Sequence, residues 1–326
     1  MALADTLVRR WYDGSPRPIL WRPLTWLYRG VVALRAWLYQ RGWLASEHLP
    51  VPVLVVGNIS LGGTGKTPLV MALVDGLRER GWRPGVVSRG HGGSQKEPML
   101  LPDRADPARF GDEPCLIRQH TSVPLAVGRD RPAAARLLLE QGCDLVIADD
   151  GLQHYRLTRD VEICVIDGVR RLGNGLMLPC GPLREPPSRL RQVDFRVVNG
   201  GVAGPDEVPM QLTGEHARNL VDSGQSRPLT TLSGQLVHAV AGIGHPRRFF
   251  DSLRAHGLQV IEHAFADHHA FVVADLDFGD AAPVLMTEKD AVKCAAFATP
   301  AMWSVPVTAV LPAAFLHDLD ARLRAF

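Results

Sequence analysis

The chain has 326 residues, of which 46% are hydrophobic and 21% charged, and its formal net charge is +2 at pH 7. This length allows one large or two modest domains, and the near-neutral charge gives no general field that would favour nucleic acid as a partner. The five cysteines are scattered and include no C-x-x-C pair, which favours reduced thiols in a cytosolic protein over a disulfide framework or a zinc site.

Residues 1–45 form a first unit that we expect to be helical. Residues 1–43 carry seven Arg against two Asp, and five of the seven Trp. Tryptophan favours the headgroup zone of a bilayer and arginine favours anionic lipid, so the segment predicts a helix on a membrane surface. The alternative is a helix packed on the domain with its Trp side chains in the core. We expect neither a signal peptide nor a membrane-spanning run, because charged residues and proline interrupt every apolar stretch.

A strand, a glycine-rich turn and a helix follow in that order. Val51–Val56 is mainly apolar, and Ser60–Thr67 reads Ser-Leu-Gly-Gly-Thr-Gly-Lys-Thr. Such a turn lets backbone N–H groups point at phosphate oxygens, and the positive end of the helix faces the same anion. The pattern predicts a nucleoside triphosphate site, with Lys66 on the β- and γ-phosphates and Thr67 on Mg²⁺. The predicted phosphate-binding residues are Gly62, Gly63, Thr64, Gly65, Lys66 and Thr67.

Residues 50–170 alternate strand patterns with helix patterns, which predicts a parallel sheet with helices on both faces. The apolar strand at Leu145–Ala148 ends in Asp149 and Asp150. In a sheet with a phosphate loop, an acid at the carboxyl end of a neighbouring strand holds Mg²⁺ directly or through water. We therefore assign Asp149 to the metal, and Asp150 either to a second position around the metal or to a substrate contact.

Two further residues are candidates for acid–base chemistry. Asp112 lies in an acidic turn before a helix, where it could cap that helix or take the proton of an attacking hydroxyl. His268 follows a strand in the run Asp267–His269, and could be a metal ligand, a capping side chain or a catalytic partner. Their local sequence leaves these alternatives open.

The stretch 171–190 is rich in Gly, Pro and Arg, which predicts a loop and a domain junction. Beyond it a second α/β pattern begins near residue 237 and includes one predicted strand at Val305–Val310. We therefore expect a P-loop kinase-like fold in three parts. These are a membrane-surface helical segment at 1–45, a nucleotide-binding kinase domain at 46–185, and a smaller α/β domain at 186–326 that closes over the active site.

Taken in order, the motifs resemble those of the tetraacyldisaccharide 4'-kinases, the lipid A 4'-kinase family. The rarest strings are Asp-Asp-Gly-Leu-Gln-His at 149–154 and Gly-Pro-Leu-Arg-Glu-Pro at 181–186. The resemblance covers nearly the whole chain. The other matching segments are Gly62–Pro68, Ser88–Gly90, Gly111–Pro114, Ala241–Gly244, Asp267–His268 and Thr287–Asp290.

This resemblance implies ATP and Mg²⁺ as cofactors, and transfer of the γ-phosphate to the 4'-hydroxyl of a tetraacyldisaccharide 1-phosphate, a lipid A precursor. It implies a peripheral protein on an anionic membrane surface, at the cytoplasmic face of the inner membrane, and it suggests no protein partner. It also implies a catalytic Asp–His pair, carried over to Asp112 as the base and His268 as its support, beside Lys66.

Two other functions stay open. A membrane-associated regulatory ATPase also joins a phosphate loop to a membrane-binding helix, but typically has a second Lys early in the loop, where this chain has Leu61. A soluble small-molecule kinase would have its Trp-rich N-terminal segment in the core.

Overall fold

The protein is described by a computed structural model that covers residues 10–13 and 21–326. The predicted segment at 1–45 therefore lies partly outside the described residues. The helices with described ends are α1 Arg22–Gln40, α2 Lys66–Arg78, α3 Pro107–Phe110, α4 Asp112–Thr121, α5 Arg131–Glu140, α6 Pro246–Ala255, α7 Glu288–Cys294 and α8 Ala313–Arg324. The strands are β1 Val53–Gly57, β2 Pro84–Ser88, β3 Met99–Leu100, β4 Leu125–Val127, β5 Leu145–Asp149, β6 Val161–Asp167, β7 Phe195–Asn199, β8 Val208–Thr213, β9 His216–Asn219, β10 Ser226–Pro228, β11 Leu236–Ala241, β12 Gln259–Ala264, β13 Val284–Thr287, β14 Met302–Val305 and β15 Thr308–Val310.

The larger of two sheets has the strand order β15-β8-β7-β6-β1-β5-β2-β4-β3 across the described part of the chain. Its neighbours are parallel except for the edge pairs β15 with β8 and β3 with β4. Strand β1 is central, because Val55 pairs with Ala148 of β5 on one side and with Glu162 of β6 on the other. The predicted α/β fold with a mainly parallel sheet is confirmed.

Helices cover both faces of the larger sheet. Because side chains alternate along a strand, Leu54 and Val56 of β1 face the core that α2, α4 and α8 build, whereas Val53 and Val55 face the core that includes α5. Strand β1 is buried throughout its length. The loop that leaves its carboxyl end therefore starts from a rigid position.

The smaller sheet has the order β10-β9-β14-β13-β11-β12. Its strands β11 to β14 are parallel neighbours, and helix α6 packs Phe249, Phe250 and Leu253 against one face. Phe271 and Leu276 fill the core on the other face. The loops that follow β11, β12 and β13 emerge at one edge of this sheet, as parallel strands require.

The two sheets do not divide between residues 185 and 186, where the sequence placed a domain boundary. Strands β7, β8 and β15 lie beyond residue 185 and extend the larger sheet, and α8 packs Phe315 and Leu319 into its core. The prediction of one strand at Val305–Val310 is wrong. Pro306 cannot donate a ladder hydrogen bond, so β14 ends in the smaller sheet and β15 begins in the larger one.

Helix α1 rests its inner face on the loop at 171–190. Thr25 is buried, and its hydroxyl oxygen accepts a hydrogen bond from the Cys180 N–H at 3.3 Å. The Tyr28 hydroxyl donates to the Arg184 carbonyl at 3.2 Å. The same helix thereby fixes a loop that reaches the functional site.

The outer face of α1 is apolar and open to solvent. Four of its side chains recur at the spacing of one helical face and are more than half exposed, namely Leu24, Leu27, Val31 and Leu34. Trp26 and Trp43 are each 72% exposed, so these indoles do not belong to the core. None of the described helices is long and apolar enough to cross a bilayer.

Candidate active site

The glycine-rich loop between β1 and α2 presents free backbone donors. Gly65 precedes α2 with a φ of +94°, and no side chain caps the helix start. Glycine is required there, because a Cβ on Gly65 would lie 2.3 Å from the Asn199 Nδ2 atom. Thr64 is buried and its Oγ1 atom has no partner in the described part of the protein. An uncapped helix start with an unsatisfied hydroxyl suits an anion such as phosphate.

Lys66 and Asp150 lie together at the mouth of this loop. The Lys66 Nζ atom is 3.6 Å from Asp150 Oδ1, and 3.3 Å from Asn58 Oδ1. The Arg184 guanidinium lies 3.1 Å from Asp150 Oδ2. Burial opposes ionisation of Asp150, but the charges of Lys66 and Arg184 lower its pKa to about 2. Asp150 is therefore an ionised partner of two cations, and it adopts a left-handed φ of +48°.

Asp149 is a carboxylate with an unsatisfied oxygen. It ends β5 opposite Val56 of β1, it is buried, and its Oδ2 atom accepts a hydrogen bond from the Ser88 hydroxyl at 3.3 Å. Its Oδ1 atom has no partner among the described residues. Burial, Glu113 and Asp150 raise its pKa well above the usual range. A divalent cation beside Asp149 would compensate both its burial and its free oxygen.

The residues at this point fit Mg²⁺. That ion commonly takes one or two protein oxygens and completes its shell with phosphate oxygens and water. Asp149 and the Thr67 hydroxyl line the same cavity and supply such oxygens. No cluster of three or more His, Cys, Asp or Glu that could hold a metal occurs within 10–13 and 21–326.

Asp112 and His268 come together from different sheets. Asp112 is the first residue of α4, next to the larger sheet, and His268 lies in the loop after β12 of the smaller sheet. The His268 Nδ1 atom is 3.1 Å from Asp112 Oδ2 and 3.2 Å from Oδ1. Gly111 holds the N-cap position of α4, and the Asp112 Oδ1 atom accepts a hydrogen bond from the Glu113 N–H at 3.0 Å. The Asp112 carboxylate therefore contacts both the start of α4 and His268. His268 has a left-handed φ of +62°, a strained conformation of the kind that clusters at functional sites.

Lys289 completes this group and was not predicted from the sequence. Its Nζ atom is 3.1 Å from both Glu113 Oε1 and Asp267 Oδ1, and 3.8 Å from Asp112 Oδ2. The three carboxylates outweigh burial and raise the Lys289 pKa, so the ammonium stays charged. Thr287 ends β13 at the edge where its parallel neighbours also end. Asp149 was located by searching for ionisable groups at the carboxyl ends of strands, and the same search at the end of β13 could have found Lys289.

One cavity of about 960 Å³ joins the phosphate loop to His268. The predicted residues that line it are Gly62, Gly63, Thr64, Gly65, Lys66, Thr67, Asp149, Asp150 and His268. Asp112 is 4% exposed and lies behind His268, which faces the cavity. The imidazole is therefore the member of the pair that a bound molecule can reach.

His154 and Gln153 also line the cavity, and the sequence assigned them no role. The Gln153 side chain donates hydrogen bonds to the Asn58 carbonyl at 3.0 Å and to Glu185 Oε1 at 2.6 Å. The His154 Nε2 atom is buried and has no partner in the described residues. Burial and nearby arginines lower the pKa of His154 to about 4, so the ring is neutral at pH 7. Both residues belong to the rare string at 149–154.

The ionisation of the Asp112–His268 pair predicts a pH-dependent stability. The hydrogen bond that His268 donates to the Asp112 carboxylate raises the His268 pKa above 6.5 despite burial and the nearby Lys289. Burial would raise the Asp112 pKa, but His268 and Lys289 lower it below 3.8. The contribution of His268 to the free energy of unfolding is present below pH 6.5 and is lost as pH rises through its raised pKa. The contribution of Asp112 is lost as pH falls through its lowered pKa.

We therefore expect His268→Gln to lower the free energy of unfolding most between about pH 4 and pH 6.5, and less at alkaline pH. Chemical denaturation of both proteins across this range measures the difference. A loss of equal size at every pH would contradict the ionised pair.

Comparison with known proteins agrees with this geometry. Residues 17–324 match the profile of the family described as Tetraacyldisaccharide-1-P 4'-kinase. A tetraacyldisaccharide 4'-kinase of Stenotrophomonas maltophilia is 55% identical over 323 residues, which cover 96% of this chain and 95% of that protein. One of Xanthomonas campestris pv. campestris is 51% identical over 330 residues, which cover 96% and 94%.

A solved structure of LpxK from Aquifex aeolicus in complex with ATP superimposes with a TM-score of 0.76 and 28% identity. The superposition covers 94% of this chain and 98% of the other. The fold, the phosphate loop and the similarity over nearly the whole length agree, and the chain belongs to the tetraacyldisaccharide-1-P 4'-kinase family.

Proposed function

We propose that this protein transfers the γ-phosphoryl group of ATP to the 4'-hydroxyl of a tetraacyldisaccharide 1-phosphate, a precursor of lipid A. The observation that carries the proposal is the single cavity that joins the phosphate loop to the Asp112–His268 pair. Phosphoryl transfer needs a grip on the triphosphate and a group that takes the acceptor's proton. This member of the kinase family has a phosphate loop for the triphosphate and a basic pair for the acceptor's proton, and both adjoin one cavity.

The phosphate loop is the nucleotide grip in this proposal. The free N–H groups of the loop and the Lys66 ammonium bind the phosphates, and Thr67 and Asp149 hold Mg²⁺, which offsets the charge of the phosphates when it is bound. Asp150 holds Lys66 and Arg184 at the cavity by its two ion pairs. This arrangement favours Asp149 over Asp150 as the metal ligand, because the Asp150 oxygens already face cations.

The Asp112–His268 pair acts as the base. His268 Nδ1 faces Asp112, so the hydroxyl proton goes to Nε2, which lies 3.4 Å from Lys289 Nζ before the acceptor enters. The buried Asp112 carboxylate orients the imidazole and stabilises its positive charge. The positive charge of Lys289 limits the rise in the pKa of His268, and its ion pair with Asp267 holds that carboxylate beside the Asp112–His268 pair. This division of roles revises the expectation that Asp112 meets the substrate directly.

The smaller sheet closes the site. It supplies His268 and Lys289, whereas the larger sheet supplies the phosphate loop and Asp149. Approach of the two units would exclude water, which otherwise competes with the sugar as phosphoryl acceptor. A regulatory ATPase needs no buried base on the acceptor side of the nucleotide, so the Asp112–His268 pair favours transfer to a hydroxyl.

Helix α1 places the cavity at a membrane surface in this proposal. Its exposed face carries Leu27, Val31 and Leu34, while its inner residues Tyr28 and Val32 line the cavity. An apolar stripe flanked by exposed arginines suits the interface of an anionic bilayer. The acyl chains of the substrate then stay in the lipid, and only the sugar enters the cavity. We place the protein peripherally at the cytoplasmic face of the inner membrane.

The first experiment incubates the purified protein with labelled ATP, Mg²⁺ and a tetraacyldisaccharide 1-phosphate, and follows label in the lipid. We expect Lys66→Ala to reduce transfer at least about 10³-fold, because the phosphates lose their main positive charge. Lys96→Ala is the matched control, since Lys96 is exposed and does not line the cavity. Transfer by Lys66→Ala at the control rate would rule out the proposed nucleotide grip.

Asp112→Asn should lower kcat by about 10²-fold or more, because a neutral amide cannot support the charged imidazole. The affinity for ATP should change little, since Asp112 does not line the cavity. Steady-state kinetics and nucleotide titration separate the two quantities. Asp206→Asn, at a 79% exposed carboxylate, should behave as wild type. A lower melting temperature with unchanged kcat would instead assign Asp112 to stability alone.

Val31→Glu should weaken binding to vesicles that contain anionic lipid by about tenfold or more. The change removes apolar area and adds a negative charge, which the negatively charged lipid repels. Val221→Glu is the matched control, because Val31 and Val221 are 57% and 58% exposed and Val221 lies in the smaller sheet unit. Cosedimentation measures both. Equal loss in both variants would contradict a membrane role for α1.

A further inference from the structure

We propose that Asn199 and Arg170 are positioning residues that aim two backbone amides of the phosphate loop at the nucleotide, and that Arg248 holds Asn199 in place. This inference rests on the proposed nucleotide site. It adds a connection between the smaller sheet unit and the phosphate loop, which none of the residues discussed above provides.

Asn199 ends β7 and is 2% exposed. Its Nδ2 atom donates to the Thr64 carbonyl at 2.9 Å, and its Oδ1 atom accepts from Arg248 Nη2 at 2.7 Å. A guanidinium can only donate hydrogen bonds, so the atom that faces Arg248 must be the oxygen. Arg248 thereby fixes the amide of Asn199 with its N–H₂ group toward the loop.

Arg170 makes a second contact with the loop. Its Nε atom is 3.0 Å from Asp167 Oδ2, at the end of β6. Its Nη2 atom donates to the Gly63 carbonyl at 2.8 Å, and its Nη1 atom donates to the Gly244 carbonyl at 3.3 Å. Gly244 follows β11 of the smaller sheet, so one guanidinium bridges the phosphate loop and the smaller sheet unit.

These contacts determine where the loop amides point. In a trans peptide the C=O of one residue and the N–H of the next point in opposite directions. With the Gly63 and Thr64 carbonyls held on one side, the N–H groups of Thr64 and Gly65 face the other side. Within the described residues, these two N–H groups donate to no protein acceptor. They are therefore available to phosphate oxygens.

The two bridges also couple the loop to the other unit. Arg248 lies on α6 and Gly244 precedes it, and both belong to the smaller sheet unit. A Cβ on Gly244 would lie 2.6 Å from the Gly63 nitrogen, so the turn and the loop are in direct contact. Withdrawal of the smaller unit would remove the partner of Asn199 and one acceptor of Arg170. The amide cradle is then best ordered when the smaller unit is in place.

The test uses Asn199→Asp in the full chain, with MgADP as the probe. The variant keeps the side-chain shape and the acceptor for Arg248, but sets a carboxylate oxygen against the Thr64 carbonyl. Because Asn199 lines the cavity, the variant also adds a negative charge there, so Asn199→Leu is measured beside it as a neutral variant that loses the same hydrogen bond. We expect the Kd for MgADP and the KM for ATP to rise at least about tenfold, as for the loss of hydrogen bonds to a charged group. The KM for the lipid acceptor should stay within about twofold.

The matched control is Asn219→Asp. Asn219 is also buried, and its Nδ2 atom donates to the Pro300 carbonyl at 2.8 Å, away from the cavity. This control should lower the melting temperature without changing the Kd for MgADP. Calorimetric titration and thermal denaturation of wild type and both variants supply the comparison.

The outcomes separate this inference from the proposed function. Failure of the wild-type protein to bind MgADP would refute the nucleotide site itself. Wild-type binding together with an unchanged Kd in Asn199→Asp would overturn the positioning role alone. If Asn199→Asp does not fold, Arg170→Met gives the same test through Gly63, and an unchanged Kd in that variant overturns the inference.

Discussion

The site depends on backbone N–H groups at the start of α2 that have no hydrogen-bond acceptor within the described part of the protein. An uncapped helix start and the buried Thr64 hydroxyl cost free energy unless an anion completes them. The rigid strand β1, buried along its length, fixes where these donors lie. The N–H groups of Thr64 and Gly65 stay free because the carbonyls on the opposite side are held by hydrogen bonds. Asn199 binds the Thr64 carbonyl and Arg170 binds the Gly63 carbonyl.

The charges around this anion site divide into two groups with different tasks. Near the loop, Asp150 pairs with Lys66 and Arg184, whereas Asp149 keeps an oxygen that has no partner among the described residues. Across the cavity, Lys289 and His268 stabilise the ionised Asp112. Burial raises the pKa of both carboxyls, but it dominates only at Asp149, where Glu113 and Asp150 add to it. At Asp112, His268 and Lys289 outweigh burial and lower the pKa.

Local sequence patterns predicted where the glycine-rich turn and Asp149 lie in the fold, and the roles of these residues stay predictions. The phosphate loop follows from adjacent residues, and Asp149 follows from the rule that parallel strands end at one edge. The contact of Asp112 with His268 joins residues 156 positions apart, and only the family resemblance suggested it. The extension of the larger sheet by β15 was missed, because strand pairing over such distances leaves no local signal and Pro306 divides an otherwise continuous apolar run. Lys289 was missed because its three carboxylate partners come from other segments of the chain.

The most direct test is a crystal structure of the protein with Mg²⁺ and a non-hydrolysable ATP analogue. We expect a phosphate within hydrogen-bond distance of the Thr64 and Gly65 N–H groups, the metal ion beside Asp149, and the γ-phosphate directed toward His268. Phosphates bound elsewhere in the cavity, or Thr64 and Gly65 amides turned away from them, would contradict this expectation.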